Sequence, residues 1–175
     1  MTSVFLFRPD ADRYQNILYE GYDLLDVLDQ LKSGRHLVPK REVVIDEGGR
    51  EGDFPSLDLM IPVFTPKAYE LLMPLLPPAT VAQLLEADGA QFIAVSVPHI
   101  VDCLDRKNTK VALTYGLTAE IEKIHLKPDR IDGAGMFRID GIENFGVFVS
   151  GAFMDVVKEH RLRGLERVKV WPKKK

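Results

Sequence analysis

The sequence predicts an α+β fold: a mainly antiparallel sheet with about three helices packed on it. Three observations predict this. Asp88-Gly89 lies between two runs of strand-forming residues, a strong short-range hairpin signal. Val63–Leu72 and Phe148–Val157 each pass from strand formers through a Thr or Ser into a helical repeat. Leu24, Leu25, Leu28 and Leu31 share one face of a third helical segment, with Asp23, Asp26 and Gln30 on another.

Taken in order, Val4–Phe7 reads as a first strand ended by Pro9, and Gln15–Glu20 as a second. Tyr22–Leu31 is the amphipathic helix, stopped by Gly34. Residues 46–56, DEGGREGDFPS, mix glycine, proline and charge, which marks an exposed loop. That loop either joins two lobes or extends from the surface of one domain spanning 1–175. Leu57–Phe64 is strand-like, with Pro62 marking an edge or a break. Thr65-Pro66 starts a helix, because a capping hydroxyl precedes a proline whose missing N–H costs nothing at the first position. Pro74 limits or kinks that helix.

The Asp88-Gly89 signal pairs Val81–Glu86 with Gln91–Val97; the alternative for Val81–Ala87 is a short helix. HIVDCLDRKNT after Pro98 reads as a short helix or turn. Glu120–Leu126 and Met136–Ile139 read as strands. In the last segment Val147–Val149 form a strand and Ser150 caps a helix bearing Phe153, Val156 and Val157. Gly164 then turns the chain into a strand carrying Leu165, Val168 and Val170.

The chain has 175 residues, one cysteine and a net charge of −3. A single cysteine excludes an internal disulfide framework. The N-terminal residues show no basic leader, and no run approaches the ~20 apolar residues of a membrane span. The expected location is therefore cytoplasmic, with no membrane partner. The net charge argues against nucleic acid as the main partner. Its distribution is uneven: residues 1–60 carry twelve acidic against seven basic residues, and residues 155–175 carry three against eight. The first region reads as an acidic face for a basic partner or as a solvated surface.

No known catalytic pattern emerges. His36, His99, His125 and His160 form no pair at zinc-site spacing. Arg138 stands where the third glycine of a dinucleotide fingerprint would fall after Gly133 and Gly135. The densest group of reactive residues is His99, Asp102, Cys103 and Asp105. On a helix, His99 would approach Asp102, and Asp102 would approach Asp105. That group reads as a turn held by aspartates, with an enzyme site or metal site as the sharper alternative. Cys103, between Val101 and Leu104, reads as a buried thiol. The phenylalanines Phe5, Phe7, Phe92, Phe137, Phe145, Phe148 and Phe153 are assigned to the core.

Three strings carry a resemblance: VDCLD (Val101–Asp105), MFRI (Met136–Ile139) and the closing FVSGAFMDVVKEHRLRGLERVKVW. Together they resemble a bacterial family of immunity-like proteins linked to polymorphic toxins, in the class numbered eleven. The resemblance is best after Leu57; the first 50 residues match poorly, which leaves partner specificity open. It implies a non-catalytic binding protein that neutralises a cognate toxin, without cofactor or metal, and it carries no catalytic residues to this chain. The candidate contacts are Asp23 and Asp26 on the first helix, Asp46, Glu47, Glu51 and Asp53 in the loop, and Asp102 and Asp105. Such acids suit a basic toxin. An oligomer formed through a sheet edge is a further alternative.

Overall fold

The computed structural model describes residues 3–19, 43–46, 48–57, 61–114, 117–131 and 133–172. Its strands are β1 (Val4–Leu6), β2 (Ile17–Tyr19), β3 (Val43–Ile45), β4 (Val63–Phe64), β5 (Val81–Ala87), β6 (Ala90–Ser96), β7 (Ile100–Val101), β8 (Lys110–Thr114), β9 (Leu117–Lys123), β10 (Met136–Ile139), β11 (Phe148–Ser150) and β12 (Val168–Trp171). Its α-helices are α1 (Pro66–Leu72) and α2 (Gly151–Glu159), with 3-10 turns at Met73–Leu75 and Pro128–Arg130. Strand dominates, so the class is α+β. Among the described residues there are two α-helices where about three were expected; the expected helix at 22–31 lies outside the described residues.

A five-stranded sheet runs β12-β1-β11-β10-β7. Its pairings are antiparallel except β10 with β7. A three-stranded antiparallel sheet runs β4-β6-β5, and β2-β3 and β8-β9 form two antiparallel pairs. Side chains alternate across each strand, so each sheet separates two apolar layers. Phe5, Met136 and Val149 of the large sheet meet Phe64 and Val95 of the small one, with Ala68 and Leu72 of α1 and Phe153, Met154 and Val157 of α2. On the far face of the large sheet Val4, Phe137, Ile139 and Phe148 pack with Cys103, Leu104, Ile124 and Leu126. On the far face of the small sheet Val63, Leu85, Phe92 and Ala94 pack with Ile17 and Val43 of the β2-β3 pair.

Both strand-to-helix junctions form as the sequence predicts. The Thr65 hydroxyl accepts from the Ala68 amide at 3.3 Å, with Pro66 opening α1. The Ser150 hydroxyl accepts from the Phe153 amide, also at 3.3 Å. Two helices entering one core from two sheets explain why these segments resemble each other in sequence. The α-helix ends at Leu72, as Pro74 predicts; Pro74 sits inside the 3-10 turn that follows, where its lost N–H is tolerated.

The hairpin is β5-β6, with Glu86 opposite Gln91 and positive φ at both Asp88 (50°) and Gly89 (80°). That pattern is a two-residue turn whose twist matches the strands, and it overturns the helical alternative for Val81–Ala87. A helix over residues 99–105 is also overturned. Ile100–Val101 is instead a strand beside β10, Leu104 bridges Leu126, and only residues 106–108 form a turn.

Candidate functional site

The 48–56 part of the 46–56 loop is held by three features of its sequence. Gly49 has φ 87°, and a Cβ there would fall 2.6 Å from the Tyr14 carbonyl carbon. Glycine is therefore required for the loop to run against Tyr14, where the Gln15 amide donates to the Arg50 carbonyl at 2.9 Å. Phe54 is fully buried, edge-on to Phe7 and Phe64 at 5.9 and 5.7 Å between centroids. The exposed loop expected from composition is thus exposed only in part, because Phe54 and Pro55 enter the core.

Asp53 supplies the third anchor. Its amide donates to the Arg163 carbonyl (2.7 Å), and its own carbonyl accepts from the Thr65 amide (3.0 Å). Its carboxylate accepts from the Thr65 hydroxyl (3.2 Å) and the Arg163 amide (2.8 Å). One residue therefore ties the loop to the start of α1 and to the turn after α2. Asp46 and Glu51, by contrast, are exposed.

Beside this loop opens a cleft of about 650 Å³. Its lining combines apolar Phe92, Ile45 and Ala90, basic Lys67, Arg161 and Arg163 with His160, and acidic Glu51 and Asp53. The turn after α2 shapes the basic part. The Leu162 amide donates to the Val157 carbonyl at 2.9 Å, closing the helix with Arg161 at φ 53°. The reversal expected at Gly164 (φ 93°) therefore begins three residues earlier, at a non-glycine. The uneven charge of the sequence becomes local here, since the acidic loop and the basic C-terminal turn meet at one opening.

The His99–Asp105 segment is organised differently. Asp102 pairs with Arg130 at 2.6 Å, both side chains at least half exposed, a geometry of small net value. The Asp105 carboxylate accepts from the Lys107 and Asn108 amides (3.1 and 3.3 Å) and from the Asn108 side chain (2.7 Å). That side-chain bond, followed by the backbone amides, holds Asp105 below the usual carboxylate range despite some desolvation. Cys103 is fully buried in the layer beneath the large sheet. Among the described residues no three His, Cys, Asp or Glu side chains gather as a metal site would require.

No protein-family model matches the chain, and no curated protein matches it.

The candidate contact residues thus divide. Glu51 and Asp53 come together at the cleft, with Asp46 on the same loop at the end of β3. Asp102 and Asp105 hold a turn and an ion pair elsewhere. Asp23, Asp26 and Glu47 lie outside the described residues. Sequence reasoning missed Lys67, Arg161, Arg163 and Gln91 as cleft residues. The basic excess of residues 155–175 was the one available signal, and it gave no hint of what those residues would face.

Proposed function

We propose that this protein is a non-catalytic, immunity-type binding protein that masks a toxin by occluding it. The observation that carries the reading is the pinned loop. Asp53, Gly49 and Phe54 fix its backbone, and Asp46 and Glu51 are presented outward on it. A surface held rigid before contact loses less conformational entropy on binding. Exposed acids on it favour fast association with a basic partner and set its register. The employment of Asp102 and Asp105 in local structure supports the same reading. The resemblance of the closing strand-helix-strand segment supplies the toxin as the class of partner.

The neighbouring genes are the first test: one encoding a protein with a C-terminal toxin domain is expected, and co-expression with that domain then tests the proposal. Growth should be rescued, and the two proteins should co-purify. Absence of both rescue and co-purification would reject it.

The oligomer reading has one observation of its own. Among the described residues β5 is the terminal strand of its sheet, and Val81 and Leu84 on it are 55% and 59% exposed. Glu86 is the only charge in that strand to discourage edge pairing.

A further inference from the structure

We propose that the cleft between the 49–53 loop and the turn after α2 binds an acidic peptide segment of the partner protein. Its carboxylates would lie against Lys67, Arg161 and Arg163, and an apolar side chain would pack against Phe92. The inference rests on the binding reading above only in taking the ligand from a protein.

Three observations carry it. First, Lys67, Arg161 and Arg163 line one opening, where Glu51 and Asp53 are the acidic lining residues. Among the described residues no carboxylate forms an ion pair with Lys67, Arg161 or Arg163, which converge on one cleft. Clustered like charges repel one another, and an incoming anion relieves that repulsion.

Second, Arg161 occupies a left-handed backbone position, φ 53°, at the end of α2. Glycine is the residue that fits such a helix end without a steric penalty. The Leu162-to-Val157 bond that closes the helix uses backbone atoms alone. That closure does not require a guanidinium, and a residue disfavoured in the left-handed region at a cleft points to a use for its side chain.

Third, the remaining lining suits a peptide better than a bare anion. Gln15 and Gln91 offer amides that donate to and accept from a peptide backbone, and Phe92, Ile45 and Ala90 offer apolar contact. Asp53 has both carboxylate oxygens engaged already. Glu51 in the lining disfavours a compact, highly charged ion and tolerates a segment with spaced carboxylates.

The test uses the full chain and fluorescence anisotropy at low salt, with a labelled glutamate-rich peptide containing one phenylalanine. Controls are the same peptide with lysine for glutamate, and inorganic phosphate as competitor. The glutamate peptide should bind and the lysine peptide should not. Arg161→Gly should weaken binding about tenfold while the melting temperature holds or rises. Arg161→Lys should keep most of the affinity, and Arg163→Ala should lose it as Arg161→Gly does. Equal binding of both peptides, or unchanged affinity in Arg161→Gly, would overturn the inference. So would displacement by phosphate at the peptide's own concentration, which marks a bare anion site. Peptide binding without toxin rescue would leave this inference standing and remove the toxin reading. Rescue without peptide binding would do the reverse.

Discussion

The Asp53 carboxylate accepts from the Arg163 amide across 110 positions of sequence, at 2.8 Å. With the Asp53 amide donating to the Arg163 carbonyl at 2.7 Å, it makes a two-point clasp between the N-terminal loop and the C-terminal turn. The walls of the cleft therefore share one structural residue, and the presentation of Glu51 and Arg161 depends on it.

Asp53→Ala removes two bonds to a charged acceptor and leaves the Arg163 amide and Thr65 hydroxyl unmatched. It should destabilise the protein by about 2 kcal/mol, read as a lower urea midpoint at unchanged slope. Thr65→Ala should cost about 1 kcal/mol through its cap. Because Thr65 serves both Asp53 and Ala68, the double variant should cost less than the sum of the singles. Strict additivity would show that the clasp and the cap act independently.

Phe54 looks like a loop residue in sequence and behaves as a core residue. Phe54→Ala should cost about 3–5 kcal/mol, as truncation of a buried aromatic does, whereas Glu51→Ala on the same loop should change stability by less than about 0.5 kcal/mol. Comparable losses from the two would contradict the placement of Phe54 between Phe7 and Phe64.

Acid should weaken the 105–109 turn. The folded-state pKa of Asp105 is depressed, chiefly by the Asn108 side-chain bond. Its contribution is therefore fully present above the unfolded-state value and is lost as the pH falls through the folded-state value. Asn108→Ala should raise the Asp105 pKa, measured by NMR titration of its carboxyl carbon. An unmoved pKa would mean that the backbone amides alone hold it.

The β5 edge separates a monomer from a sheet-edge oligomer. If Val81 and Leu84 drive pairing, light scattering of the wild type should give twice the mass of 19.7 kDa, and Leu84→Lys should return the monomer. A monomeric wild type at high concentration would end the oligomer reading.

Local signals in the sequence predicted the fold best. Thr65-Pro66, Ser150 and Asp88-Gly89 each determine a cap or a turn through atoms within three residues, so their reading needs no knowledge of the fold. The same logic failed for residues 99–105. Ile100 and Val101 become a strand because β10 offers a parallel edge, and nothing near them in sequence announces that partner. Phe54 was hidden for a similar reason: glycine, proline and charge around it predict a surface loop, and its burial is decided by Phe7 and Phe64. At the candidate site Glu51 and Asp53 were legible as loop acids. Arg161 was not, because its meaning depends on a left-handed turn and on the loop brought opposite it by Asp53.

The central claim is that the pinned acidic loop and its cleft form the surface that recognises the partner. If a neighbouring gene encodes a toxin domain, the affinity of the purified chain for that domain tests this most directly, comparing wild type with the Asp46→Lys/Glu51→Lys variant. Tight binding by the wild type, and loss of at least about tenfold in the folded variant with most of the change in association rate, is the predicted result. No binding by the wild type, or equal affinity in both, would contradict it.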